Sequence, residues 1–295
     1  MPLIGVLAAL TTVVLWGANF IALKVAITEV PPLFVSGMRF VVLTILLSPF
    51  LRVPKDHFRG IFEYAMIMGI GHFCIMFVSL QFIDISTGGI VLQLGTPFIV
   101  LLAWLMLQER FGIWRFAGML MAFSGIGILI GFPGSDIDPL WLFGLVFAAF
   151  MWALSSIRAK QLVGVRPFTL IAWMALMVAP MAFLLSWIFE TDQVSSVLKA
   201  DWQFWASLAY MIIASSIIGY GLWYWLIQRY EVSAVAPYNL LVPLVAAAGG
   251  IIVLGDVMSP VKLIGGAMIF GGVSLITVRQ IYLARRADDL VGPRI

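Results

Sequence analysis

The sequence predicts an all-α membrane protein whose ten transmembrane helices form two inverted five-helix repeats. Three observations predict this class. The 295-residue chain is 63% hydrophobic and only 11% charged, ten apolar runs are separated by short polar breaks, and residues from the first half recur in the second. A soluble domain carries about 25% charged residues. This chain therefore cannot cover a water-facing surface, and the lipid bilayer is its expected partner.

Each apolar run approaches the roughly 20 residues that a transmembrane helix requires. The first run has no preceding basic segment, so it is interpreted as a permanent helix rather than a cleaved signal peptide. The ten predicted helices occupy residues 3–23, 33–51, 60–80, 87–107, 113–131, 139–157, 168–189, 203–227, 233–254 and 261–280.

The positions of Lys and Arg predict the orientation, because cytoplasmic loops carry an excess of both residues. If the N-terminus is cytoplasmic, thirteen of the seventeen basic residues lie in cytoplasmic segments. Only Lys24, Lys199 and Lys262 lie outside, and Arg39 lies within a helix. This distribution predicts a multi-pass membrane protein with both termini in the cytoplasm.

The repeats are visible in two stretches, "VLWGANFIALK" at residues 14–24 and "MWALSSIRAK" at residues 151–160. Trp16 and Trp152 are 136 residues apart, as are Lys24 and Lys160. Later matches are 147 residues apart, the extra residues falling in the loop between helices seven and eight. They pair Asp84 with Glu231, Glu109 with Asp256, Gly118 with Gly265, and Gly125 with Gly272.

An odd number of helices per copy places the second copy upside down. We therefore expect a first repeat over residues 1–135, a second over 136–282, and a short cytoplasmic tail over 283–295. Transporters with inverted repeats bind their substrates between the repeats, near the middle of the membrane.

Two matching helix faces supply the first candidate site residues. Trp16 and Asn19 lie on one face of helix one, and Trp152 and Ser155 repeat that face on helix six. The twin Trp residues would line a pocket for a small solute. The alternative is close helix packing, with Asn19 forming a hydrogen bond between helices.

Prolines within helices four and nine indicate further candidates, because a proline frees backbone carbonyls beside a cavity or a neighbouring helix. Gln93 precedes Pro97, while Tyr238 and Asn239 precede Pro243. Tyr220 on helix eight is the best placed of several polar residues at helical spacing. Each of these residues has a structural alternative, a fixed kink with local polar contacts.

Two ionisable residues lie inside predicted helices. Arg39 would bind a substrate carboxylate through its planar fork, or else play a structural role at the outer headgroups. His72 would carry protons or bond to substrate, since histidine ordinarily titrates near neutrality. Its alternative is a neutral ring bonded to a backbone carbonyl. Protons are therefore the candidate coupling ion.

The sequence contains no pattern typical of an enzyme or of a nucleic-acid-binding protein. The basic residues are scattered singly, the two histidines form no metal-ligand cluster, and no phosphate-binding loop is present. We expect no catalytic residues, no metal, no cofactor, and a functional monomer. Glu109 and Asp256, each near the end of a helix, are interpreted as structural anchors.

Three stretches, "VLWGANFIALKVAITEVPPLFVSGMRF", "IIGYGLWYWLIQRYE" and "VAPYNLLVPLV", resemble the EamA family of the drug/metabolite transporter superfamily. Within it the chain is most similar to bacterial exporters of O-acetylserine and cysteine, which often carry Gln where this chain has His72. The resemblance implies a secondary transporter of the bacterial inner membrane, multi-pass with both termini cytoplasmic, that exports small amino-acid-like metabolites by alternating access.

Two alternatives remain open at the level of sequence. The first is an exporter of hydrophobic or aromatic compounds and drugs, although helix one lacks the buried carboxylate of the small four-helix relatives. The second, from another class, is an intramembrane lipid-modifying enzyme. It would have to depend on Glu63 and His72 alone.

Overall fold

A computed structural model describes residues 2–51, 57–108, 112–131, 137–162, 164–230 and 235–291. Within these residues the chain folds into helices and turns without a β-strand, which confirms the all-α prediction. We number its long helical stretches in chain order as α1 Leu3–Glu29, α2 Pro32–Leu46, α3 Phe58–Phe82, α4 Ile85–Leu92 with Gly95–Leu107, α5 Ile113–Gly131, α6 Pro139–Gln161, α7 Pro167–Phe189, α8 202–229, α9 Ala236–Leu241 with Val242–Leu254, and α10 Pro260–Val291.

Eight of these helices, among the described residues, are long and apolar enough to cross a membrane. The other two, α2 and α9, are apolar but shorter. At 1.5 Å per residue the fifteen residues of α2 extend only about 22 Å, less than a hydrocarbon core of about 30 Å. The eight long helices establish a multi-pass membrane protein, and the count of ten spans stays a prediction.

Three predicted helix ends are wrong. Helix α1 continues to Glu29 instead of ending near Lys24, because the Lys24 ammonium bonds to backbone carbonyls of α3 and so is accommodated inside the helix. Helix α2 ends at Leu46, and the predicted remainder contains a separate 3₁₀ turn at Ser48–Phe50. Helix α10 continues to Val291, into the segment predicted as a tail.

The outside of the bundle is apolar, as a lipid-facing surface requires. Large side chains such as Trp187, Leu198 and Ile252 are among the most exposed in the protein. Inside, α1 packs against α8 and α9, α6 packs against α3 and α4, and the pairs α2–α7, α4–α9 and α5–α10 are in contact. The contacts of α1 with α8 and α9 correspond to those of α6 with α3 and α4, because each helix of the second set lies five places along the chain from its counterpart in the first.

Helices α5 and α10 approach so closely that only glycine fits at the crossing. A Cβ added to Gly118 would lie 2.7 Å from the carbonyl oxygen of Gly272, and one added to Gly272 would lie 2.3 Å from that of Gly118. Gly125 and Gly265 make the same reciprocal contact, at 2.7 Å and 3.0 Å. Small residues of this kind permit tight helix pairing inside a membrane.

Four helices depart from α geometry at positions that correspond between the two halves. Helix α3 contains a π-helical segment at Met66–Cys74, and α8 contains one at Tyr210–Gly219. Helix α4 is interrupted between Leu92 and Gly95, and α9 begins with the 3₁₀ turn Ala236–Leu241. Such segments free backbone hydrogen-bonding groups and frequently mark functional regions.

Candidate functional site

Trp16, the first predicted site residue, lies at the middle of α1 and packs against α8. Its indole Nε1 donates a hydrogen bond of 3.2 Å to the Ser215 carbonyl oxygen, in the π-helical segment of α8. Its ring lies 5.2 Å from that of Tyr220 and 5.5 Å from that of Trp223, centroid to centroid. The structure therefore brings Trp16 and Tyr220 together in one aromatic cluster.

Arg39 is buried beside this cluster, with 3% of its surface exposed. Its Nη2 donates a 2.9 Å hydrogen bond to the Ser216 hydroxyl on α8, which in turn donates to the Met211 carbonyl oxygen. The Nε and Nη1 atoms of Arg39 are buried without a hydrogen-bond partner. The guanidinium therefore points into the bundle, where its observed partner is a side-chain hydroxyl.

Asn19 and Asn239 are half-buried on α1 and on the first turn of α9, two segments that are in contact. The side-chain oxygen of each is buried and has no hydrogen-bond donor. A buried acceptor without a donor costs about 1–3 kcal/mol. These two amides are therefore suited to accept a hydrogen bond from a solute that enters between α1 and α9.

A second group of predicted residues lies on α3, α4 and α6. The His72 Nδ1 is 2.9 Å from the Ala148 carbonyl oxygen, and because a carbonyl only accepts, Nδ1 is the donor. The Ser155 hydroxyl bonds within its own helix to the Trp152 carbonyl oxygen at 2.7 Å and contacts the Met68 sulfur at 3.2 Å. The bonds observed at His72 and Ser155 are therefore those expected of residues with a structural role.

Trp152 packs against the interruption of α4, the segment that contains Gln93. A Cβ on Gly95 would lie 2.4 Å from the Trp152 ring, so the indole rests directly on this glycine, two residues beyond Gln93. The side chains of Trp152 and Gln93 are both half-buried. The twin Trp residues thus pack differently, Trp16 against α8 and Trp152 against α4.

Tyr238 shares an apolar cluster with Trp223, a member of the aromatic cluster around Trp16. It packs in an apolar cluster with Ala9, Leu226 and Val235, near the start of α1. Glu109 lies outside the described residues. Its predicted counterpart Asp256 accepts hydrogen bonds from the backbone nitrogen and the hydroxyl of Ser86, at 2.9 Å and 2.8 Å.

Polar contacts join the two halves of the chain at the distal end, the end of the bundle at which α1 finishes. Lys262 forms a 2.7 Å ion pair with Asp84, which also caps the first turn of α4 through Thr87. Glu190, at the end of α7, accepts hydrogen bonds from the first backbone nitrogens of α2. Lys24 donates to the last carbonyls of α3.

Sequence reasoning missed the inter-helix partners in these contacts. The pair Asp84–Lys262 joins residues that belong to different matched positions, so comparing the repeats could not find it. The Asp84 cap did have a signal, an Asp placed three residues before Thr87 at the start of an apolar run. Ser216 is one of the polar residues at helical spacing on helix eight, but its bond to Arg39 had no signal in the sequence, because the π-helical turn that presents it depends on packing.

An apolar exterior around inward-facing polar groups, some of them without partners, defines a multi-pass membrane protein with an internal polar site. The comparisons with known proteins name the family. The EamA-like transporter family matches residues 3–131 and 139–278. The chain belongs to this family, which confirms the resemblance drawn from its sequence.

Relatives match along nearly the whole chain. The chain is 31% identical to a probable amino-acid metabolite efflux pump of Salmonella typhimurium, over 90% of this chain and 92% of that protein. It is 30% identical to a protein of the same name from Escherichia coli, over 91% and 93%. It is 25% identical to the uncharacterized transporter YoaV of Bacillus subtilis, over 92% and 96%.

A crystal structure supports the fold independently of these names. It superposes with a TM-score of 0.64 and covers 96% of this chain and 98% of its own, at 20% sequence identity.

Proposed function

We propose that this transporter is a secondary exporter of small amino-acid-like metabolites, and that it works by alternating access between two inverted five-helix repeats. The observation that carries the proposal is the pair of unsatisfied amide oxygens on Asn19 and Asn239, buried where the first repeat meets the second. A protein interior satisfies nearly all its buried polar atoms. These two are best explained by a solute that supplies the missing donor.

The α5–α10 crossing supports the inverted repeats. Under the 147-residue correspondence, Gly118 matches Gly265 and Gly125 matches Gly272. The contact of Gly118 with Gly272 then maps onto the contact of Gly265 with Gly125, and the structure contains both. A two-fold axis between two copies generates matching pairs of contacts of this kind.

The caps of α4 and α9 support the same correspondence. Gln108 and Gly255, which are 147 residues apart, both adopt a left-handed conformation, with φ of 55° and 74°. A non-glycine residue enters this region only at a cost. The two copies thus share a backbone conformation at this cap even though the residue differs.

The contacts at the distal end support alternating access. The pair Asp84–Lys262 and the bonds of Glu190 to α2 join one repeat to the other. In the proposed cycle these contacts close the outer side, and they separate when the site opens outward. Small amino-acid-like solutes as cargo are suggested by the name that the two efflux pump relatives carry.

Counterflow in proteoliposomes, with a panel of labelled amino acids that includes O-acetylserine, cysteine and phenylalanine, tests the proposal. Asn19→Ala and Gln93→Ala should each weaken transport at unchanged protein levels. The loss of one hydrogen bond to a charged group should reduce affinity by about tenfold or more. Gln161→Ala, an exposed position at the end of α6, is the matched control.

Two results would contradict this placement. Wild-type counterflow with none of the amino acids would reject the function. Normal transport by both variants, with transport abolished by Glu109→Ala and Asp256→Ala at normal protein levels, would instead place the site at the helix ends.

An exporter of hydrophobic or aromatic compounds is the second candidate. The aromatic cluster of Trp16, Tyr220 and Trp223 favours it, because aromatic side chains pack well against planar apolar solutes. The same counterflow panel separates the two candidates. Phenylalanine carried in strong preference to cysteine and O-acetylserine would favour this second function.

A further inference from the structure

We propose that Arg39 receives the carboxylate of the transported solute while Asn19 and Asn239 receive its ammonium group, so that the site binds a zwitterion in one fixed orientation. This inference rests on the proposed function and assigns its substrate a charge pattern. The sequence analysis left Arg39 either as a binder of a substrate carboxylate or as a structural residue, and this inference assigns it the first role.

Arg39 is a buried cation that forms no ion pair with any carboxylate among the described residues. The fourteen acidic residues of the sequence lie in loops or near helix ends. No described carboxylate forms an ion pair or a hydrogen bond with Arg39. An isolated charge is costly to bury, and within spanning helices such groups pair with one another or mark a substrate path.

The surroundings of Arg39 moderate its charge but leave two of its nitrogens unpaired. Its guanidinium carbon lies 5.2 Å from the ring centroid of Phe73, 5.8 Å from that of Phe77 and 6.0 Å from that of Phe40. Aromatic faces attract a cation at these distances. They do not replace in-plane acceptors for Nε and Nη1, both of which are buried without a partner.

A carboxylate matches these free donors. Guanidinium presents its N–H groups as a rigid fork that binds the two oxygens of a carboxylate side by side. Nη2 shares one such fork with Nε and another with Nη1, and each fork uses one of its two hydrogens. The Ser216 hydroxyl accepts one Nη2 hydrogen, so one complete fork, Nη2 with either Nε or Nη1, remains for the solute. The match concerns the number and kind of donors, and a neutral amine or alcohol does not satisfy it.

The opposite polarity is supplied by α1 and α9. Asn19 lies one turn further along α1 from Trp16, and its side-chain oxygen is an unpaired acceptor, as is that of Asn239. On α8, Tyr220 contacts the Trp16 ring and lies one turn beyond Ser216, the partner of Arg39. Through Trp16 and α8, helices α1 and α2 thus contribute unpaired acceptors and unpaired donors to one region, and an α-amino acid needs both.

Three solutes that differ by one charge test this orientation. Cysteine carries both groups, cysteamine lacks the carboxylate, and 3-mercaptopropionate lacks the ammonium. In wild-type proteoliposomes kept reduced, cysteine should compete for counterflow of the labelled amino acid far better than cysteamine. Arg39→Gln should raise the half-inhibiting concentration of cysteine by about tenfold or more, as expected for a lost charge-assisted bond. It should leave that of cysteamine within about twofold of wild type.

Arg59→Gln is the matched control, because the Arg59 side chain is 94% exposed and lies on the surface. Its counterflow should equal that of wild type. If Arg39→Gln keeps the wild-type preference for cysteine over cysteamine, the assignment of the carboxylate is wrong. Asn19→Ala should produce the complementary loss, against cysteamine but not against 3-mercaptopropionate, and the reverse result would overturn the orientation.

Thermal unfolding of the purified protein separates this inference from the proposed function. An arginine kept for structure stabilises the fold, so Arg39→Met should then lower the melting temperature. An arginine kept for a ligand is an unpaired buried charge, so Arg39→Met should leave the melting temperature unchanged or raise it. A marked decrease in Arg39→Met therefore contradicts the inference.

The same measurement decides the matter if wild type transports no amino acid. Stabilisation of wild type by 3-mercaptopropionate, absent in Arg39→Gln, would uphold the carboxylate site while the proposed cargo fails. Equal stabilisation of wild type and Arg39→Gln, or none in either, would reject the site.

Discussion

At the scale of single residues, His72 forms a bond between helices that any test of its predicted role in proton transfer has to preserve. Its Nδ1 is held by the Ala148 carbonyl oxygen, which links α3 to α6. Its ring lies edge-on to that of Phe73, the same ring that faces Arg39. A substitution at His72 therefore has to preserve the link before it can test proton transfer.

His72→Asn makes that separation. The Asn side-chain nitrogen can occupy the position of Nδ1 and keep the bond to Ala148, but the amide cannot take up a proton. We expect a melting temperature near that of wild type and a flattened dependence of counterflow on pH, because histidine is the only side chain in the spans that ordinarily titrates near neutrality.

His72→Ala is the matched comparison, since it loses the bond and should lower stability by about 1–3 kcal/mol. An unchanged pH profile in His72→Asn would assign His72 to structure alone.

The residue types at the site could be predicted from sequence, but their partners could not. Trp16, Asn19 and Asn239 were identifiable because polar and aromatic groups are uncommon inside apolar helices and two of these helices carry prolines or repeat marks. The bond of Ser155 to its own helix was not foreseeable, because a hydroxyl in a helix can turn either to a neighbour or back to a carbonyl.

At the scale of helices, the π-helical segments and the glycine crossing depend on packing between elements. The π-helical segment of α8 frees the Ser215 carbonyl for Trp16 and the Met211 carbonyl for Ser216. No periodicity in the sequence marks the segment. The glycines that match between α5 and α10 did have a signal, since their spacing recurs in the two repeats, and the structure shows them in contact.

Identical substitutions along α5 test this crossing. Gly118→Ala would place a methyl group 2.7 Å from the Gly272 carbonyl oxygen, and overpacking of this kind costs about 1–3 kcal/mol. Gly127→Ala on the same helix meets nothing within 4 Å and should gain up to about 1 kcal/mol from helix propensity. Thermal unfolding in detergent should shift in opposite directions for the two variants. Equal shifts would show that the crossing tolerates a side chain.

At the scale of the whole molecule, the direction in which the bundle crosses the membrane follows from charge. The predicted orientation places the distal end outside the cell and both termini in the cytoplasm. Ser135 and Lys55, natural positions for testing it, lie outside the described residues. Thr191 and Gln161 are exposed positions on opposite sides, and the single cysteine, Cys74, is buried.

Single cysteines at these positions, in a Cys74→Ala background, report the orientation. An impermeant thiol reagent added to intact cells should label Thr191→Cys and should label Gln161→Cys only after the membrane is opened. The expectation follows from the excess of basic residues on the side of Gln161. Labelling of Gln161→Cys in intact cells, with protection of Thr191→Cys, would reverse the orientation.

The class of the protein could be predicted almost completely from its sequence, while the exact extent of its spans could not. The membrane requires every spanning helix to be apolar and favours basic residues in every cytoplasmic loop, so both patterns can be recognised in the sequence. Helix ends depend on individual contacts. Helix α1 passes Lys24 because α3 offers three carbonyls to its ammonium, and that neighbour cannot be read from the run itself.

The reciprocal crossing of α5 and α10 has a mechanical consequence. If the two repeats exchange conformations during the cycle, a contact between them has to break and reform elsewhere unless its counterpart under the 147-residue correspondence is already formed. The counterpart of the contact between Gly118 and Gly272 is the contact between Gly265 and Gly125, and the structure already contains both. In such a cycle, α5 and α10 can therefore keep their contact while the other helices of each repeat move relative to them.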